Sequence, residues 1–159
     1  MEPHLLELEI SERGVLSDNH AIAELLGNLR SLGVRLAVDD FGAGQSALGY
    51  LKNLPLDSVK IDRSFVRGLP DNGEDSVIIS AIIAMAHRLQ LNVTAEGVET
   101  EEQLSFLCDS QCDEIQGAFF ALPMAPEEIR ELLLKGAWPF RTRSHQGVLN
   151  DGLIESANI

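Results

Sequence analysis

The twelve residues Leu-Ala-Val-Asp-Asp-Phe-Gly-Ala-Gly-Gln-Ser-Ala, 36–47, carry an apolar run of strand length into two adjacent carboxylates and two glycines. Upstream, residues 19–32 place Ile22, Leu25, Leu26, Leu29 and Leu32 at helical spacing, with Gly33 set to end the helix. Downstream, a helix over 46–54 is stopped by Pro55 and followed by a strand over 58–62. The stretch therefore sits in a repeating strand and helix alternation. It begins with a strand over 5–11 and continues with a helix over 75–90, a strand over 93–96 and a helix opened by the capping-box pattern Thr100-Glu101-Glu102-Gln103. A strand over 114–118 and a helix over 126–135, begun by Pro126 and closed by Gly136, complete the series.

Strands that alternate with helices and read as mostly apolar on both faces predict an α/β fold with a parallel, helix-covered sheet. A complete (β/α)8 barrel needs about 250 residues, or roughly 200 at least, and 159 residues carry five such units. The expected architecture is an incomplete TIM-type barrel over 1–140. After Trp138 periodicity stops, and 141–159 reads as a polar tail expected to be disordered.

Composition narrows the function. With 45% apolar and 23% charged residues the chain is that of a globular protein. A formal charge of −13 speaks against binding a nucleic-acid polymer, yet leaves small phosphorylated ligands open where a local cation offsets the field. The longest apolar stretch, within 77–86, is interrupted by Ser80 and falls short of the roughly 20 residues of a membrane helix. No secretory pattern opens the chain, so a cytoplasmic location is expected. Cys108 and Cys112, with four scattered histidines, read as reduced structural thiols rather than a zinc or redox site.

In parallel strands the carboxyl ends share one rim, where α/β proteins build their sites. Here those ends carry Glu9, Asp39 and Asp40, Lys60, Glu96 and Gln116. Acids brought together repel unless a divalent cation neutralises them, and hard Mg²⁺ or Mn²⁺ suits an all-oxygen set. Two neighbouring aspartates can serve a pair of ions, while Lys60 would supply positive charge to phosphoryl oxygens. Gly42 and Gly44 would let the following loop approach a ligand. Asp39-Asp40-Phe41-Gly42 also reads as an ordinary turn. It matches the Asp-Phe-Gly of protein kinases too, but no phosphate loop precedes it and His87-Arg88 is followed by Leu89 instead of Asp.

Taken together these motifs resemble the EAL family of cyclic di-GMP phosphodiesterases. The resemblance runs in order through Glu9-Ile10-Ser11-Glu12, Asp39-Asp40-Phe41-Gly42-Ala43-Gly44 and Val59-Lys60-Ile61-Asp62-Arg63-Ser64-Phe65-Val66. It continues through Ala95-Glu96-Gly97-Val98-Glu99-Thr100 and Gln116-Gly117 with Pro123-Met124. It implies hydrolysis of one phosphodiester of cyclic di-GMP to linear pGpG in bacterial signalling. Glu9 and Asp39 would hold a first metal, and Asp39, Asp40 and Glu96 a second. Lys60 would position or activate water and stabilise the transition state, with Glu96 beside it as a catalytic candidate. Asp62 would tether Lys60, Glu12 would brace the loop after Phe41, and Gln116 and Glu99 would support the site or touch substrate.

The departures are equally specific. The Glu-Ala-Leu strand and the strand bearing the family's Asn ligand are absent from this sequence, which begins just before the Glu9 strand. Two of four ligands expected for the first ion are therefore missing. Gln45 stands for a usual Tyr, Ala47 for a usual Ser, and Ala118 and Ala121 for a usual aromatic and Ser. The expectation is a phosphodiesterase domain impaired as this chain, with a missing N-terminal segment or a homodimer supplying the remainder. The alternative is a degenerate module that binds cyclic di-GMP or a protein partner without cutting.

Overall fold

Most strand residues in this chain alternate between polar and apolar, and the alternation decides which side of the sheet meets the helices. The structure is a computed structural model that describes residues 2–15, 19–43 and 48–135. Its five strands are β1 (Glu7–Ser11), β2 (Arg35–Phe41), β3 (Ser58–Ile61), β4 (Asn92–Glu96) and β5 (Glu114–Gln116). Between and after them run α1 (Glu12–Val15), α2 (Asn19–Ser31), α3 (Leu48–Leu51), α4 (Arg63–Val66), α5 (Gly73–Arg88), α6 (Glu101–Asp109) and α7 (Pro126–Lys135). Leu36, Val38, Val59, Ile61, Val93 and Ala95 pack with Ile79, Ile82, Ile83 and Ala86 of α5 and Leu107 of α6 in the core. The other face is polar, which corrects the reading of strands apolar on both sides. Glu7, Glu9, Arg35, Ser58, Lys60, Thr94, Glu96 and Glu114 bond to one another across it.

All neighbouring strands are parallel and the order is β1-β2-β3-β4-β5. A doubly wound sheet reverses its strand order at a switch point, whereas a barrel wall advances strand by strand. This sheet does the latter. It also curls: Arg35 of β2 reaches Glu114 of β5 at 3.9 Å, although three strand spacings of about 4.8 Å separate those strands in a flat sheet. The polar face is the concave one. The described residues thus form an α/β barrel segment in which β1 and β5 each keep one unpaired edge.

Helix ends follow sequence chemistry. Asn72 caps α5 by accepting from the Glu74 N–H, Glu74 and Asp75 occupy the first turn, and His87 and Arg88 the last, matching the helix dipole. Thr100 and Gln103 form the reciprocal capping box expected for α6. Some boundaries differ from the sequence reading. A single 3-10 turn, Pro3–Leu5, delays β1, and β3 stops at Ile61 because Asp62 becomes the N-cap of α4. The short helices α1 and α4 have too few residues to show a period. Only Leu48–Leu51 of the expected 46–54 helix is helical among the described residues. Gly44, Gln45, Ala47, Gly136, Trp138 and the 141–159 tail lie outside the described residues.

β5 is shorter than expected because the chain wraps around Val98 after Gln116. Val98 donates its N–H to the Gln116 carbonyl at 3.1 Å and accepts from Phe119 N–H at 2.9 Å. A Cβ on Gly117 would stand 2.1 Å from the Val98 carbonyl oxygen. Gly27 in α2 has open space around it. Cys108 and Cys112 are free thiols, and Cys112 donates to the carbonyls of Val93 and Glu114 between β4 and β5.

Gly117→Ala lowers stability by about 1–3 kcal/mol through overpacking, while Gly27→Ala raises it by about 0.5–1 kcal/mol, both measured by denaturant titration. Burial pushes the Cys112 thiol up to about 12. At pH 8 in native buffer, Ellman's reagent therefore leaves Cys112 unmodified, labels Cys108 slowly, and labels both once the chain is unfolded.

Candidate metal and phosphodiester site

Consecutive residues of a regular strand point to opposite faces, so Asp39 and Asp40 ordinarily could not meet. A bulge brings them together. β2 advances from Val38 to Phe41 while its partner β3 advances only from Val59 to Ile61, and Asp40 takes the left-handed conformation with φ 53°. An extra residue at that point re-aims the side chain, and Asp tolerates the left-handed region better than most residues. One carboxylate oxygen from each of Asp39, Asp40 and Glu96 then lies within 4.8 Å of the others.

Asp40 shares a hydrogen bond with Asp62, and this contact, with Asp39 close by, holds its acid above the usual 3.8. Asp62 itself accepts from Ser64 and is held below that value. The carboxylates are thus crowded enough that one of them resists ionisation, a cost that a divalent cation removes. All-oxygen donors at this spacing fit a hard cation.

Lys60 stands at the centre of β3, its side chain only 8% exposed. Its ammonium lies 2.5 Å from Glu9 Oε1 on β1 and 2.5 Å from Glu96 Oε1 on β4. Burial lowers the lysine's proton affinity, but the two carboxylates outweigh it and push the pKa upward. The group is a fixed cation. The expected tether from Asp62 is replaced by these two acids, since Asp62 is turned to Ser64 and Asp40. Glu9 faces Lys60 and shares that ammonium with Glu96, beside the mutually converging set of Asp39, Asp40 and Glu96.

Around this centre, Glu12 is buried at the start of α1, and its Oε2 accepts the Gly42 N–H at 3.3 Å. Gly42 has φ 96°, and a Cβ there would meet the Phe65 ring at 2.9 Å, so the turn out of β2 requires glycine. Gln116 lies in register with Glu96 at the end of β5 and is exposed. Glu99 is exposed, and its backbone N–H donates to Gln103 as part of the α6 cap. Sequence reasoning missed the bulge, the Asp40 and Asp62 contact, and the polar layer of Glu7, Arg35, Ser58, Thr94 and Glu114 beneath the site. The alternating polar residues of each strand were the available signal for that layer.

Comparison with known proteins places this geometry in a family. The EAL domain model matches residues 1–123. The chain is 47% identical over 128 residues to the cyclic di-GMP phosphodiesterase NbdA of Pseudomonas aeruginosa, covering 80% of this chain and 16% of that protein. The solved PaMucR phosphodiesterase in complex with c-di-GMP superposes with a TM-score of 0.78 at 42% identity, covering 81% of this chain and 52% of that one. The manganese and cyclic di-GMP complex of Klebsiella pneumoniae BlrP1 superposes with a TM-score of 0.73 at 32% identity, over 77% of this chain and 31% of that one. The chain thus spans about half of the PaMucR structure and a smaller share of the other two. On the match across strands β1 to β5 and the rim they share, the chain belongs to the EAL domain family.

Proposed function

We propose that this chain forms the acid and lysine half of a metal-dependent cyclic di-GMP phosphodiesterase site that yields linear pGpG, working in the cytoplasm in bacterial signalling. The observation that supports it most is the convergence of Asp39, Asp40 and Glu96 at the rim where Lys60 also ends. Mg²⁺ or Mn²⁺ held by these carboxylates would supply activated water and neutralise phosphate charge. Asp39 and Asp40 supply two donors from one strand, and Glu96 supplies a third from β4.

Lys60 stays protonated, so it serves as an electrostatic partner for developing phosphoryl charge and orients water by donating hydrogen bonds, rather than removing a proton from it. Glu12 fixes the exit from β2 through Gly42, which sets where the following loop, with Gly44, begins. Gln116 and Glu99 lie at or beyond the carboxyl ends of β5 and β4, where a dinucleotide would approach. Residues 1–140 act as the catalytic portion in this reading, and a second segment or subunit supplies the donors beyond Glu9 for the first ion.

A second reading has its own support. Glu9 is engaged by Lys60, and the carboxylates that converge within 4.8 Å are the three of Asp39, Asp40 and Glu96, so a single-ion binding module is also consistent. Such a module would bind cyclic di-GMP and signal without turnover.

Chromatographic measurement of pGpG separates these readings. With Mn²⁺, the 159-residue chain alone turns over slowly or not at all, and fusion to the amino-terminal half of an EAL domain restores hydrolysis. In that fusion Asp39→Asn lowers kcat about 100-fold or more. Unchanged hydrolysis in Asp39→Asn would sink the enzymatic reading, and metal-dependent binding without product in the fusion would favour the module. Asp40→Asn keeps a residue that tolerates the left-handed turn, and it weakens Mn²⁺ binding about 10-fold or more by calorimetry without unfolding the domain.

A further inference from the structure

We infer that Lys60 and a divalent cation compete for Glu96, and that the cation binds by displacing the Lys60 ammonium from that carboxylate. The inference rests on the proposed metal site and concerns how that site is loaded. Glu96 is shared: its Oε1 faces Lys60 at 2.5 Å, and an oxygen of the same carboxylate belongs to the set that converges with Asp39 and Asp40 within 4.8 Å. An ammonium at hydrogen-bond distance and a divalent ion on the same carboxylate repel each other across a few ångströms, so each weakens the hold of the other. Lys60 has a second hold on Glu9 at 2.5 Å, and Glu9 is 45% exposed. Releasing Glu96 therefore leaves the ammonium paired on β1, not stranded in the interior.

The arrangement works as an exchange. Lys60 spans β1, β3 and β4 and offsets the crowded acids. A bound ion would draw the charge of Glu96 and leave the ammonium on Glu9, with donor capacity free for a phosphate oxygen. Lys60 thus becomes available to substrate only when the ion is present. The lysine is a positioning residue for loading, in addition to any contact with the reacting phosphate.

Calorimetric titration with Mn²⁺ tests this on the whole chain. Lys60→Met removes the competing charge at similar length, and it binds Mn²⁺ roughly 10-fold or more tighter than the unaltered chain. Lys60→Arg keeps the charge and gains nothing. Equal or weaker binding by Lys60→Met overturns the exchange. Should Lys60→Met fail to fold, the unaltered chain gives the answer by pulse acetylation read by mass spectrometry. Mg²⁺ then accelerates modification of Lys60 severalfold, an effect absent in Asp39→Asn, and an unchanged or slower rate overturns the exchange. Mn²⁺ binding that is lost in Asp39→Asn while Lys60→Met shows no gain refutes the exchange alone. No Mn²⁺ binding by the unaltered chain refutes the metal site as well.

Discussion

A buried ammonium ties three strands of the sheet together, and the geometry of the site follows from it. Lys60 extends from β3 across the concave face to Glu9 on β1 and Glu96 on β4. Without a cation there, two carboxylates would face each other over a half-buried surface with nothing to offset their repulsion. With it, the rim holds acids at close quarters. Beneath it Arg35 plays a comparable part between Glu7 at 3.2 Å and Glu114 at 3.9 Å. The concave face is therefore organised in ionic layers around the small Ala37, and the large apolar side chains of the strands lie on the helix side.

The second constraint is the single-residue bulge. Its cost is local backbone strain at Asp40, of the order of 1–3 kcal/mol for a non-glycine residue in this region, moderated because Asp is among the residues that tolerate it. Its effect is to give one strand two donors on one side. Glu12, Gly42 and Phe65 then fix the exit from the bulge, with the Glu12 carboxylate satisfying the Gly42 N–H. Asp62 links the bulge to α4 by capping that helix while touching Asp40. Strain and repulsion are thus gathered at one rim, where the chemistry proposed for the family would use them.

Much of this was legible in the sequence. Apolar runs of strand length, helical spacing from Ile22 to Leu32, and the Thr100 capping box placed the alternating elements, and the polar residue closing each strand placed the rim. The motif order from Glu9 to Gln116 then pointed to the family. What stayed hidden has physical reasons. A bulge is a backbone choice that Asp39-Asp40 permits without dictating, and α1 and α4 are single turns. The partners of Lys60 depend on curvature across strands, which no local pattern encodes, so the family resemblance alone offered one, Asp62. The strict alternation in Glu7-Leu8-Glu9-Ile10-Ser11 and Ser58-Val59-Lys60-Ile61 was on view, yet the strands were read as apolar throughout because their outer positions are so strongly so.

The sequential strand order has a consequence for how the chain comes together. Each strand's ladder partners are the ones immediately before and after it along the polypeptide, so every pairing closes a modest loop and none waits for a distant partner. Such a sheet can be laid down during translation, unit by unit as the nascent chain emerges from the ribosome. The long-range ion pairs to Glu9 and Glu114 would then form last, as the growing sheet acquires its curl.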